Sequence, residues 1–183
     1  MNRCRLACLL VLALNVCGNV HAGENPAGRT QTGKVGDALE VALPVIALGS
    51  SILIRDTEGA QQFLYGLGTT LAVSHGLKAL ISKERPDGRD EKSFPSSHTA
   101  IAMHTAAFVH ERYGLKWGVP AYVAAAYVGH SRVHDERHDE QDVVAGAILG
   151  IVAARIFTSR LEGVEVVPAS EQGVVGLSFR YRF

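Results

Sequence analysis

The sequence predicts an all-α protein, an antiparallel bundle of about five helices followed by a short C-terminal β-hairpin. Three observations carry this. Five stretches between residues 35 and 160 are apolar over helical lengths, with Gly and Ala frequent among them. Short connections from the second stretch onward set neighbouring helices running alternately up and down. In the tail, Val175, Leu177, Phe179, Tyr181 and Phe183 alternate with small or basic residues, the period of a half-buried strand.

The first 22 residues stand apart from that pattern. Arg3 and Arg5 precede an apolar run from Leu6 to Leu14, and Val20-His21-Ala22 offers a small-residue cleavage site. This is the form of a signal peptide, with an apolar run too short to cross a bilayer comfortably. Residues 23–34 read as a polar linker. Cys4, Cys8 and Cys17 all fall in the leader, so the mature chain is expected to have neither disulfides nor thiolate metal ligands.

The helical domain is expected over 35–161. Its first helix, 35–54, is apolar apart from Asp37 and Glu40, acids that suit a helix start. The second covers 58–82. The third opens near Ser96 and stops at Gly114. The fourth is short, from Val119 to His130, with Pro120 in its first turn. The fifth runs from His138 to Arg160, with the run VVAGAILGIVAA as its buried face. The hairpin tail, 162–183, cannot close a barrel by itself and reads as a structural appendage.

Basic and acidic residues number 18 each, so the chain lacks the basic excess of a nucleic-acid binder. The stretch GHSRVHDERHDEQDV, 129–143, is the densest in chemistry. It could be a metal site, a solvated turn, or part of an active site completed elsewhere. Were it all helix, His130, His134 and His138 would share a face and could hold a metal. Nearly every residue from His134 to Gln141 is charged or His, however, and the apolar pattern resumes only at Val143. A loop and then a new helix fits better, and it scatters the three rings.

Two other stretches are chemically loaded. Lys78 ends helix two, with Arg85-Pro86 seven residues on. Ser96, Ser97 and His98 open helix three, where free N–H groups and the helix dipole make an anion seat. Alternating helices bring the end of two, the start of three, the end of four and the start of five to one end of the bundle. Lys78, Arg85, Ser96, His98, Arg132, His138 and Asp142 then surround one helix start, as a phosphate site with acid–base groups would require.

Lys78-x6-Arg85-Pro86, then Pro95-Ser96-Ser97-His98, then Ser131-Arg132-x5-His138-x3-Asp142 resemble the three-part signature of the type 2 phosphatidic acid phosphatase superfamily. Bacterial acid phosphatases, glucose-6-phosphatase and vanadium haloperoxidases share it. The resemblance covers about 35–160 and implies the helical fold of that superfamily. It implies a metal-independent phosphatase, without cofactor, acting on phosphomonoesters or pyrophosphates, lipid phosphates among them, through a phosphohistidine. His138 would be the nucleophile, Asp142 its carboxylate partner and His98 the acid–base group. Lys78, Arg85, Arg132, Ser96 and the Ser97 N–H would bind phosphate.

The signature usually has Gly where this chain has Ser97. It also fits a haloperoxidase holding vanadate in the same seat, and a binding protein without turnover is the alternative of another class. His75, His104, His110, His130 and His134 fall outside the signature and read as structural. The charged loop from Asp87 to Lys92 reads as a solvated lip. The expected location is the periplasmic side of a bacterial envelope, in contact with the membrane.

Overall fold

The computed structural model describes residues 30–161, 164–171 and 174–181. The expected leader and most of the expected linker lie outside these residues. Five helices form the bundle: α1 Gln31–Leu53, α2 Thr57–Leu80, α3 Ser97–Tyr113, α4 Leu115–His134 and α5 Glu140–Phe157. The central one is α3, which packs against the other four. Its Ala100, Ala102, Ala106 and Ala107 are fully buried, and side chains this small let whole helices approach. On α5, a Cβ at Gly146 would lie 2.4 Å from the Ser96 carbonyl oxygen, so only glycine allows α5 to pass the start of α3 there. Phe63 packs edge-on against Phe108, with ring centroids 5.0 Å apart, and fills the space between α2 and α3.

Side-chain caps set where the helices begin. Thr30 accepts the Gly33 N–H at 3.0 Å, Asp56 accepts that of Gly59 at 2.9 Å, and Ser96 accepts that of Thr99 at 3.5 Å. At α5, Asp139 accepts the Asp142 N–H at 3.0 Å and the Asp142 carboxylate accepts the Asp139 N–H at 3.3 Å, a reciprocal capping box.

Three expectations are corrected. The first helix begins at Gln31, inside the assigned linker, because Thr30 caps it; Asp37 and Glu40 therefore lie beyond its first turn and do not serve as dipole partners. The fourth helix runs Leu115–His134 instead of 119–130. Gly114, at φ +93°, turns the chain from α3 into α4 within one residue, and Pro120 falls inside the helix. Helix five starts at Glu140, which leaves His138 in the turn between α4 and α5.

At the end remote from the motifs, Arg112 clamps α3 to the start of α2. It donates from Nε and Nη2 to the two Asp56 oxygens at 2.8 and 2.6 Å, and Tyr113 donates its hydroxyl to Asp56 at 3.0 Å. Residues 164–171 and 174–181 run as two antiparallel strands, Val164 opposite Tyr181. The site is positioned by the helices and the segment between α2 and α3.

Candidate active site

The starts of α1, α3 and α5 and the ends of α2 and α4 meet at one end of the bundle, and the motif residues meet with them. In the last turn of α2, Lys78 donates to the Lys92 carbonyl at 2.8 Å and the Ser93 carbonyl at 3.4 Å. Arg85, in the segment joining α2 to α3, donates to Asp90 at 2.8 Å and to the Arg137 carbonyl at 3.5 Å. Ser96 caps α3, and its N–H donates to the Asp142 carbonyl at 3.0 Å, which locks the start of α3 to that of α5. Ser97 enters the helix at negative φ, and its Oγ lies 2.8 Å from Ser74 Oγ on α2. The serine in the glycine position is thus held sideways, while its N–H stays at the open end of the helix.

Arg132 is buried, and α1 holds it: Nη1 lies 2.7 Å from Asp37 Oδ1, and Nη2 donates to the Gly33 carbonyl at 3.1 Å. His98, the second residue of α3, has Nε2 3.2 Å from Glu40 Oε2, also on α1.

His138 occupies the turn before α5. Its Nδ1 lies 3.5 Å from Ser93 Oγ and 3.7 Å from Asp142 Oδ2, and Ser93 Oγ donates to that same oxygen at 2.5 Å. The carboxylate therefore reaches the ring chiefly through a serine hydroxyl. Asp142 is fully buried and also accepts from Lys83 Nζ at 2.8 Å; the same ammonium pairs with Asp139 at 2.6 Å.

Burial pushes the His138 pKa down to about 3, helped by the Arg85 and Lys78 cations and opposed by Asp142 and the Ser93 backbone. The ring is therefore neutral at neutral pH. With Nδ1 occupied on the Ser93 and Asp142 side, Nε2 has a lone pair for an electrophile. Burial works to lower the Lys83 pKa, but its bonds to Asp139 and Asp142 outweigh that and raise it. Burial likewise works to raise Asp139, and the bond from Lys83 leaves it below the usual carboxylate range.

The motif reading left out Ser93, Lys83, Asp37 and Glu40. Lys83 falls among the unassigned positions of the first motif, and nothing in the spacing of Ser93 marks it. Asp37 and Glu40 did leave a signal: three apart in an apolar helix, they share a face. On α4, His130 and His134 have ring centroids 6.0 Å apart, while His138 lies past the helix beside Ser93 and Asp142. No group of three His, Cys, Asp or Glu among the described residues is placed to hold a metal.

Comparison with known proteins shows the family and the fold. The PAP2 superfamily model matches residues 59–163. A lipid A 4'-phosphatase of Helicobacter pylori is 30% identical over 138 residues, which cover 69% of this chain and 69% of that one. A lipid A 1-phosphatase of Porphyromonas gingivalis is 39% identical over 82 residues, 43% of this chain and 18% of that protein. Among solved structures, Aquifex aeolicus LpxE shares the fold with a TM-score of 0.62 at 19% identity, over 78% of this chain and 92% of that one. With a family match over most of the helical domain, a relative of this identity and coverage, and three motifs converging on one helix start, the chain belongs to the PAP2 superfamily and is one of its phosphatases.

Proposed function

We propose that this phosphatase removes phosphate from a lipid phosphomonoester without a metal, by way of a phosphohistidine on His138. The observation that carries the reading is the neutral, buried His138 ring, backed by Ser93 and Asp142 and set beside Lys78 and Arg85. In the first half-reaction Nε2 attacks phosphorus as the ester P–O bond breaks, and His98 gives a proton to the departing oxygen. In the second, His98 takes a proton from water as its oxygen bonds to phosphorus and the N–P bond breaks, which frees phosphate and restores His138. Lys78, Arg85 and Arg132, with Ser96 and the Ser97 N–H, offset the charge on the phosphoryl oxygens.

Two observations favour a lipid. The two relatives are named for lipid A. An apolar cavity of about 440 Å³ also opens between α1, α3 and α4, lined by Leu43, Ile46, Val109 and Trp117 among others, a volume suited to a hydrocarbon chain. Among the described residues α1 is the one helix long and apolar enough to cross a membrane. We read the protein as working at the periplasmic face of a bacterial membrane after loss of its leader, and the C-terminal strand pair as an appendage.

Phosphate release in EDTA from an aryl phosphate and from a lipid phosphate tests this. Turnover is expected to resist chelation and to fall more than about a thousandfold in His138→Ala. Turnover abolished by EDTA, or retained by the variant, would sink the mechanism.

A further inference from the structure

The three motifs lie between Lys78 and Asp142, and the family match begins at residue 59, so α1 belongs to neither. It nevertheless enters the site. Glu40 Oε2 lies 3.2 Å from His98 Nε2, with the two side chains only 14% and 21% exposed. A carboxyl so far out of water is costly unless something pairs with it. On an otherwise apolar stretch of helix, this one faces the ring assigned above to proton transfer.

We propose that Glu40 is the positioning residue for His98. Its carboxylate accepts the Nε2–H, fixes the ring, and leaves Nδ1 to exchange protons with substrate and water. The site then contains two histidine–carboxylate pairs, His138 with Asp142 and His98 with Glu40, one for each role. When the ester bond breaks, the Nδ1 proton passes to the leaving oxygen, and the ring is left neutral with its Nε2–H on the Glu40 carboxylate. When water attacks, Nδ1 takes one of its protons, and the pair regains the proton it gave up. The inference rests on the acid–base role given to His98 above.

Leaving-group dependence separates this role from a merely structural one. An alkyl phosphate needs its leaving oxygen protonated, whereas p-nitrophenyl phosphate needs this far less. In Glu40→Gln, kcat/KM is expected to fall about 10- to 100-fold for the alkyl ester and only a few-fold for the aryl ester. Glu40→Asp should fall between, with the same inequality. Inhibition by inorganic phosphate within about twofold of wild type shows that the seat is intact in both variants. If Glu40→Gln failed to fold, the ratio in Glu40→Asp would decide. Equal losses on both esters, or no loss on either, would overturn the assignment and leave the phosphatase reading standing. A wild-type protein inert towards both would overturn that reading and this one together.

Discussion

His138 is kept neutral by burial and by nearby cations, and this has a cost at low pH. Its folded pKa, about 3, lies below the 6.5 of a free histidine. Between those values the unfolded chain holds a proton at this ring that the native protein does not. Stability therefore rises with pH across the window and is lost as the pH falls from 6.5 towards 3. The slope from this one group is at most about 1.4 kcal/mol per pH unit. His138→Asn cannot take up that proton, so its melting temperature is expected to fall less steeply than wild type between pH 6.5 and 4.5. Parallel curves would mean that burial of His138 is not what sets acid sensitivity. Ser93 belongs to the same account: by giving its hydroxyl hydrogen to Asp142 it leaves an oxygen to receive the Nδ1–H, the tautomer that frees Nε2.

At the scale of elements, two ends of one bundle have divided the work. The site end gathers charge around a helix start, while the opposite end is fixed by Asp56, which caps α2 and binds Arg112 of α3 in bidentate fashion. Arg112 is only 3% exposed, so Asp56→Ala leaves a buried cation without its main partner. The expected loss is about 3–5 kcal/mol, visible as a fall of roughly 10 °C in melting temperature. Turnover per folded molecule should be unchanged, since the clamp lies at the far end. A melting temperature within about 2 °C of wild type would show that the pair is dispensable. The helices themselves were legible because long apolar stretches announce them, and the motif residues because they sit at helix ends that alternation brings together. Boundaries were less legible: one serine-like cap at Thr30 and one left-handed glycine at 114 moved two helix starts by four residues each. Asp37 and Glu40 were misread because an acid near a helix start has a ready local explanation. Their actual partners, Arg132 and His98, are remote in sequence and meet them only once α1 docks.

On the scale of the whole molecule, the outer surface is as telling as the site. Val144, Ile148, Val152 and Ile156 recur every fourth residue along α5, and all are exposed. Leu115, Val119 and Val123 do the same on α4; Val41, Val45 and Ile52 are exposed on α1, and Val73 and Leu80 on α2. The central α3 exposes no large apolar side chain among its described residues. Apolar surface this extensive, spread over the four outer helices, marks a membrane or protein contact in place of water. At 23 residues α1 is about 35 Å long, enough for a hydrocarbon layer of about 30 Å. A bilayer covers all four outer faces at once, whereas a second copy of the chain would cover one or two. The full-length chain is therefore expected to stay with membranes through a carbonate wash and to need detergent for release. Ile148→Glu with Val152→Glu places two carboxylates on the outer face of α5, each costing about 2–3 kcal/mol in lipid, and should shift protein out of the membrane fraction. A wild-type protein recovered without detergent as a soluble oligomer would show instead that copies of the chain cover the belt, and one recovered as a soluble monomer would show that water does.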